Sequence, residues 1–387
     1  MTKRLVRISR AVMDLEPYKV SNQKPLFMDK SDNPLKLDWN ESTIPPSPKV
    51  IDAIQSALIN SNLNWYPDVE ATELRRRLAE YTGLPVEYIS CFGGSDMALE
   101  YTCRTYLEPG SSVVLSAPTY DNFRVYAQST GASIVQSYYK NPFHPNARTL
   151  LNSITAKTRL VYICNPNNPT GAMMSEKEIG RLLEQAPQQM FVVDEAYFEF
   201  CNQTVAHFVE KYSNLIVVRS FSKAFGLASL RIGYILTDPA NLEYIHRIKV
   251  GKNVSVIAQK AAIAALSNLS YTEAYIKQIG ESKQMLSERL RQLQCEFHIT
   301  PANFFLIRLN NPQNAIRTLE EHKIFVRDRS TVVQLEGFVR ITIGTPEQTE
   351  RLLTVLKKLS DDNQFESAGA IRIQPLKLYQ AKEPVGV

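Results

Sequence analysis

The sequence predicts an α/β protein: a large domain with a mainly parallel sheet covered by helices on both faces, plus a smaller α/β domain made from both chain ends. Three observations predict it. The 387 residues exceed what one hydrophobic core fills, so two domains are expected. Between about 86 and 236, short apolar runs alternate with longer helical patterns, which is how strand–helix–strand units read. After about 250 the texture changes to long helices followed by two returning strands.

In chain order, "VVLS" (113–116), "LVYIC" (160–164), "MFVVDE" (190–195), "LIVVRS" (215–220) and "RIGYIL" (231–236) are apolar runs with polar residues only at their ends, as strands buried on both faces are. Between several of them lie helix patterns. "DMALEYTCRTYL" (96–107) is one. "SEKEIGRLLEQA" (175–186) is another, opened by the Ser175…Glu178 spacing of a capping box. Beyond 250, "SVIAQKAAIAALSN" and "YTEAYIKQIGESKQMLSERLRQL" are helical. "FFLIRL" and "FVRITIG" are strands, and a capped helix starts at Thr345 and Pro346. The expected division is 1–45 as an N-terminal segment joining the small domain, 46–249 as the large domain, 250–361 as the small domain and 362–387 as a tail.

The composition, 44% hydrophobic and 21% charged, is that of a soluble globular protein. A net charge of +5 suits anionic small molecules. Without a dense Lys/Arg block, no nucleic-acid partner is expected. No apolar run nears the roughly 18 residues of a membrane span. Five scattered cysteines with no C-x-x-C pair imply reduced thiols and neither a disulfide frame nor a metal site. The basic start "MTKRLVRISR" lacks the apolar core of a signal peptide, and a cytoplasmic location is expected.

In open parallel sheets ligands bind beyond the carboxyl ends of the strands, so the residues following each run carry the interest. "FGGSD" (92–96) sets Gly94, Ser95 and Asp96 at a helix start, where free backbone N–H groups can hold a phosphate, although a plain turn also accounts for it. "APTYDNF" brings Tyr120 to a strand end, as a packing aromatic or a ring platform. "CNPNNPTG" (164–171) offers Asn165, Asn167 and Asn168 in a Pro-rich loop that turn chemistry also explains. "VVDEAYFEF" sends Asp194 out of an apolar strand, where a buried carboxylate needs a positive partner. "SFSK", with Arg231 eight residues on, adds Ser220, Ser222, Lys223 and a guanidinium. Together they are the parts that a phosphorylated aromatic aldehyde requires: an amine for a Schiff base, a carboxylate for a ring nitrogen, and donors for a phosphate.

These segments resemble pyridoxal-phosphate enzymes of the aspartate-aminotransferase fold, most closely the histidinol-phosphate aminotransferase family. "NNPTG", "DEAY", "SFSKAFGLASLRIGY" and "FVRITIG" occur in that family's order, over about nine tenths of the chain. The resemblance implies a homodimeric enzyme that uses pyridoxal 5′-phosphate to move amino groups between amino-acid and keto substrates. Lys223 would carry the cofactor as a Schiff base and shuttle the substrate proton. Asp194 would hold the pyridine nitrogen protonated, Asn168 and Tyr197 would bond the phenolic oxygen, and Tyr120 would stack on the ring. Gly94, Ser95, Asp96, Ser220, Ser222 and Arg231 would hold the cofactor phosphate, joined by Tyr66 from the partner subunit. Arg340 would bind the substrate carboxylate, with Asn168 beside it. Arg327 and Tyr18 would meet the distal, often phosphorylated, end. The sequence departs from the family pattern at Ser42-Thr43, at Met97 and at Ser229. Two other readings stay open on this scaffold: a decarboxylase resembling threonine-phosphate decarboxylase, and a non-catalytic binding module.

Overall fold

A computed structural model describes residues 6–20, 23–362 and 365. Its centre is a seven-stranded sheet. In spatial order the strands are Ile89–Phe92, Gly233–Thr237, Leu215–Ser220, Met190–Asp194, Thr158–Cys164, Ser112–Ala117 and Ser133–Tyr138. Gly233–Thr237 alone runs against the other six. The sheet is therefore mainly parallel, as expected.

Side-chain alternation makes it a divider between two cores. Leu160, Tyr162, Val192, Ile216 and Val218 face one apolar cluster, while Val161, Ile163, Phe191, Val193, Leu215 and Val217 face the other. Strands buried on both faces have no polar phase, which is why they read as unbroken apolar runs. Each such side chain taken from water stabilises the fold by about 1.5–3 kcal/mol. Two strands of this sheet escaped the sequence reading. Ile89–Phe92 is only four residues long, and Ser133–Tyr138 is an edge strand with mostly half-exposed or exposed side chains.

The helix Ser95–Tyr106 packs against Asn122–Ser129, and Val256–Leu266 packs against Pro48–Asn60 and Thr72–Thr82. At Glu176–Gln185 the expected capping box is one-sided. Ser175 accepts from the Glu178 amide, but the Glu178 carboxylate is drawn away to the Ala147 amide and to Arg181. The complete box sits instead at Pro346–Asp361, where Thr345 and Gln348 cap each other's backbone N–H groups.

A second sheet of four antiparallel strands holds Arg327–Asp328, Phe338–Thr342, Phe304–Arg308 and Phe297–Ile299, in that order. The N-terminal residues Leu35–Lys36 pair in parallel with Ile324–Phe325. The segment following them, Asp38 to Asn40, is thereby carried to the sheet's carboxyl edge. Of the expected tail, Phe365 bridges Leu309, and residues 366–387 lie outside the described residues.

Under the sheet's carboxyl edge lies a buried ion pair. Arg219 Nη2 is 2.9 Å from Glu195 Oε2, and Thr204 Oγ1 and the Val205 amide donate to the same carboxylate. The guanidinium also lies 3.7 Å from the Phe198 ring centroid. Removing one partner leaves an uncompensated buried charge, so Arg219→Met should lower stability by about 3–5 kcal/mol in urea titrations. A loss under about 1 kcal/mol would mean the pair contributes nothing net.

Candidate active site

The sheet brings the sequence-selected residues to one edge. Phe92, Gly233 and Ser220 stand in register across three strands, and Asp194 stands beside Val218 one strand further. The helix starting at Ser95 follows Phe92 by way of Gly94, whose φ of +93° is open to glycine and strained for other residues. A Cβ on Gly94 would lie 2.7 Å from Arg231 Nη2. One on Gly233 would lie 2.6 Å from the Ser95 amide nitrogen. No side chain caps the helix, so the first-turn N–H groups point out of it toward the site with the positive end of the helix dipole. Arg231, itself in the left-handed region, reaches Asp96 at 3.1 Å. Tyr120 donates to the other oxygen of Asp96 at 2.8 Å. Glycine, helix start, arginine and aromatic ring thus form one linked cradle, and Ser220 Oγ accepts from the Ser222 amide next to it.

Asp194 is 4% exposed. Tyr162 Oη donates to one carboxylate oxygen at 2.8 Å and the Ala196 amide to the other at 3.1 Å. Among the described residues no cation pairs with it. Burial pushes its pKa up to about 6, against those two hydrogen bonds. Lys223 follows one strand on. Its Nζ donates to the Trp39 carbonyl at 2.9 Å and lies 5.9 Å from the Tyr197 ring centroid. Burial lowers its pKa to about 8, with Glu41 acting in the opposite sense. The amine is thus neutral far more often near neutral pH than a surface lysine.

Tyr197 Oη accepts from Asn40 Nδ2 at 3.0 Å, and its ring meets Phe304 edge-on. Arg340, 3% exposed, comes from the four-stranded sheet and donates to Asn168 Oδ1 and to the Asp38 carbonyl. Its Nε is buried without a hydrogen-bond partner among the described residues. The Asn168 side-chain oxygen is therefore engaged with Arg340. Tyr18 and Tyr120 approach at 6.2 Å between centroids. Arg327 gives one Nη to the Lys19 carbonyl at 2.6 Å. Tyr18, Tyr120 and Arg327 line a cavity of about 890 Å³ together with Arg329 and Thr119.

Tyr66 is the exception. It is 75% exposed, beneath Lys252 Nζ on the outer surface and beside exposed Trp65. Within one chain it is not brought to the site. Sequence reasoning missed Tyr162, Asn40 and Arg329. Tyr162 reads as one more apolar strand residue, and Asn40 lies 157 positions from the tyrosine it contacts. Arg329 carried a signal: it follows Arg327 by two, which on an extended strand means the same face.

This sheet with its edge cluster is the architecture of an aminotransferase, and the chain belongs to the class I and II aminotransferase family, whose profile matches residues 32–356. The chain is 38% identical over 349 residues to a dihydroxyacetone phosphate transaminase of Campylobacter jejuni, covering 89% of this chain and 94% of that protein. It is 33% identical over 357 residues to a histidinol-phosphate aminotransferase of Methanosarcina mazei, covering 89% and 95%. Among solved structures, the histidinol-phosphate aminotransferase of Sinorhizobium meliloti in complex with pyridoxal-5′-phosphate matches with a TM-score of 0.82 at 24% identity, covering 94% of this chain and 100% of that one. An L-threonine-O-3-phosphate decarboxylase of Porphyromonas gingivalis matches at 0.72 and 23% identity, covering 84% and 99%. Below 25% identity these two likenesses concern the fold.

The Asp194 geometry sets a pH dependence. A carboxyl whose folded pKa lies above its unfolded value of about 3.9 contributes stability that is complete below that value. The contribution is lost as pH rises through about 6. Without cofactor, wild type relative to Asp194→Asn should therefore lose roughly 2 kcal/mol between pH 4 and pH 7 in urea titrations. Parallel pH profiles for the two proteins would contradict it.

Proposed function

We propose that this aminotransferase moves an amino group between an amino acid, glutamate among them, and a small keto partner that carries a phosphate. Its cofactor is pyridoxal 5′-phosphate. The observation that carries the reading is the buried Asp194 carboxylate with no cation beside it among the described residues, one strand from a half-buried lysine of lowered pKa. A buried anion held by two neutral donors fits a protonated ring nitrogen. The cradle at Gly94, which a Cβ would fill, fits a phosphate at a helix start.

When bound, the cofactor supplies an aldehyde that captures the amino group and a ring that accepts the electron pair released at the substrate carbon. Asp194 would keep a proton on the ring nitrogen. Tyr197 and Asn168 would bond the phenolic oxygen, Tyr197 through a hydroxyl already oriented by Asn40. Tyr120, tied to Asp96, would stack on the ring. The Ser95 and Asp96 amides, Ser220, Ser222 and Arg231 would hold the phosphate. Lys223 Nζ would take the proton from the substrate carbon and return it to the cofactor's aldehyde carbon, two bonds away across the nitrogen, which needs an amine that is often neutral. Arg340 pairs with the substrate carboxylate. Its fork is aimed by Asn168 and the Asp38 carbonyl, and its Nε has no acceptor among the described residues.

The similarity to a dihydroxyacetone phosphate transaminase and to histidinol-phosphate aminotransferases supports a phosphorylated partner. A half-reaction screen tests this: glutamate, histidinol phosphate and O-phosphothreonine against the cofactor-loaded enzyme, and dihydroxyacetone phosphate against its aminated form. The expected result is amino transfer with no CO₂. Release of CO₂ from O-phosphothreonine without amination of the cofactor would turn the assignment to a decarboxylase. In the same assay Arg340→Ala should slow the glutamate reaction on the order of 10²–10³-fold while leaving cofactor absorbance in place. A loss under tenfold would remove Arg340 from the carboxylate site.

We further propose a homodimer with shared sites, in which Tyr66 reaches the partner's cofactor phosphate. The exposed large apolar side chains Ile59, Trp65 and Tyr66, close together in the chain, support it. Mixed dimers of Tyr66→Ala and Lys223→Ala subunits should then recover one site with wild-type cofactor affinity. No recovery would put Tyr66 outside the site. The division at about 45, 249 and 361, and a cytoplasmic location, are part of the same proposal. Four of the five free cysteines are buried, as reduced thiols in a cytoplasm often are.

A further inference from the structure

Arg327, Arg329 and Arg340 occupy one face of the four-stranded sheet. Arg327 stands directly across from Arg340 in the antiparallel register, and the Arg329 amide bonds to the Phe338 carbonyl, continuing that pairing. Period-two alternation puts Arg329 on the side of Arg327. Like charges directly opposed on adjacent strands destabilise a sheet, and three guanidinium groups on one face compound that. Nothing within the protein relieves it, for no carboxylate pairs with any of the three among the described residues. The Nε atoms of Arg329 and Arg340 are both buried without an acceptor. The acidic residues around the adjoining cavity are directed elsewhere: Asp121 to Arg124, Glu320 to Lys24, Asp328 to Ser330 and Gln313. Asp14 and Glu16 are exposed at its outer side.

The missing counter-charge is larger than one carboxylate. With Arg340 committed to the substrate carboxylate, Arg327 and Arg329 still present two positive charges to the cavity. Arg327 spends one Nη on the Lys19 carbonyl, which fixes the Tyr18 segment over the site. Arg329 makes no side-chain hydrogen bond among the described residues, although its Nε is buried, so its donors stand ready for an external acceptor. A phosphate monoester brings a charge of about −1.5 to −2 and three acceptor oxygens, which two guanidinium forks match.

We infer that Arg329 is a substrate-phosphate ligand and sets the enzyme's preference for phosphorylated over unphosphorylated partners, with Arg327 as its companion. This rests on the aminotransferase reading above. Its position also supports it, since burial and the neighbouring charges of Arg340 and Arg327 lower the pKa of Arg329 and an incoming dianion would reverse that penalty.

The test compares paired substrates that differ only in the phosphate: dihydroxyacetone phosphate with dihydroxyacetone, and histidinol phosphate with histidinol. Wild type, Arg329→Gln and Arg329→Lys are compared by kcat/KM. Wild type should prefer the phosphorylated member of at least one pair. Arg329→Gln should reduce that preference roughly 10- to 100-fold, chiefly through KM, and Arg329→Lys should restore part of it. Glycerol 3-phosphate, titrated calorimetrically into the cofactor-loaded enzyme, should lose affinity by a similar factor in Arg329→Gln. A merely structural arginine would lower both members of a pair together and leave their ratio alone, and that result overturns the inference. If wild type prefers the phosphorylated member and Arg329→Gln keeps both the preference and the glycerol 3-phosphate affinity, the inference fails while the proposed function stands. If wild type shows no phosphate preference in either pair, the phosphorylated-partner reading fails and this inference with it.

Discussion

The constraint on which the structure turns is charge left unneutralised inside the protein. Asp194 and Lys223 sit one strand apart at the carboxyl edge of the sheet, the first buried and the second half-buried, and no ion pair joins them among the described residues. Either could neutralise the other if the backbone brought them into contact, and the site would then have nothing to offer a ligand. Instead each is held by neutral groups, Asp194 by the Tyr162 hydroxyl and the Ala196 amide, Lys223 by the Trp39 carbonyl. Neutral donors satisfy the oxygens without cancelling the charge. Their cost shows as displaced pKa values in both groups, in the direction that burial dictates.

Holding such groups apart requires rigid surroundings. The sheet supplies this by packing both faces, so that Val193 and Val218, flanking the site, belong to different cores and neither strand can slide without breaking one. The Arg219–Glu195 pair beneath the edge adds a polar lock, tied to Thr204 and Val205 on the connection that follows. Across the cleft, the parallel pairing of Leu35–Lys36 with Ile324–Phe325 fixes the segment carrying Asp38, Trp39 and Asn40. Those three residues meet Arg340, Lys223 and Tyr197 respectively. A two-residue strand thus couples the small sheet to the cofactor edge.

Much of this was legible in the chain because its chemistry is local. Asp194 and Lys223 each follow an apolar run closely, and a strand buried on both faces has no polar phase to confuse the reading. The helix start at Ser95 was marked by its glycines. Less local facts were silent. Gly233–Thr237 reads like its parallel neighbours, since the direction of a buried strand leaves no trace in its composition. Tyr162 looks like core until its hydroxyl is seen on Asp194, and Asn40 meets Tyr197 only through the tertiary fold. Ser175 and Glu178 have the right spacing for a reciprocal cap, yet the Ala147 amide, distant in sequence, won the carboxylate. Tyr66 shows the limit of a single chain, for its expected role needs a second subunit.

The arginines show why residue type alone could not separate scaffold from site. Arg219 and Arg340 are equally buried, and both follow apolar strand residues. Arg219 has a carboxylate, a hydroxyl and an aromatic face arranged around it, so its charge is spent within the fold. Arg340 has an amide oxygen and a carbonyl, which orient the fork but supply no formal charge, and its Nε is left over. Sequence displays the arginine and hides the company it keeps. A buried cation whose partners are all neutral is directed at something that is not part of the chain, because nothing inside repays its desolvation. Arg329 is only half-buried, but its buried Nε lacks an acceptor among the described residues as that of Arg340 does, and on the inference drawn above the face they share is where an anionic substrate completes the electrostatics that the fold leaves open.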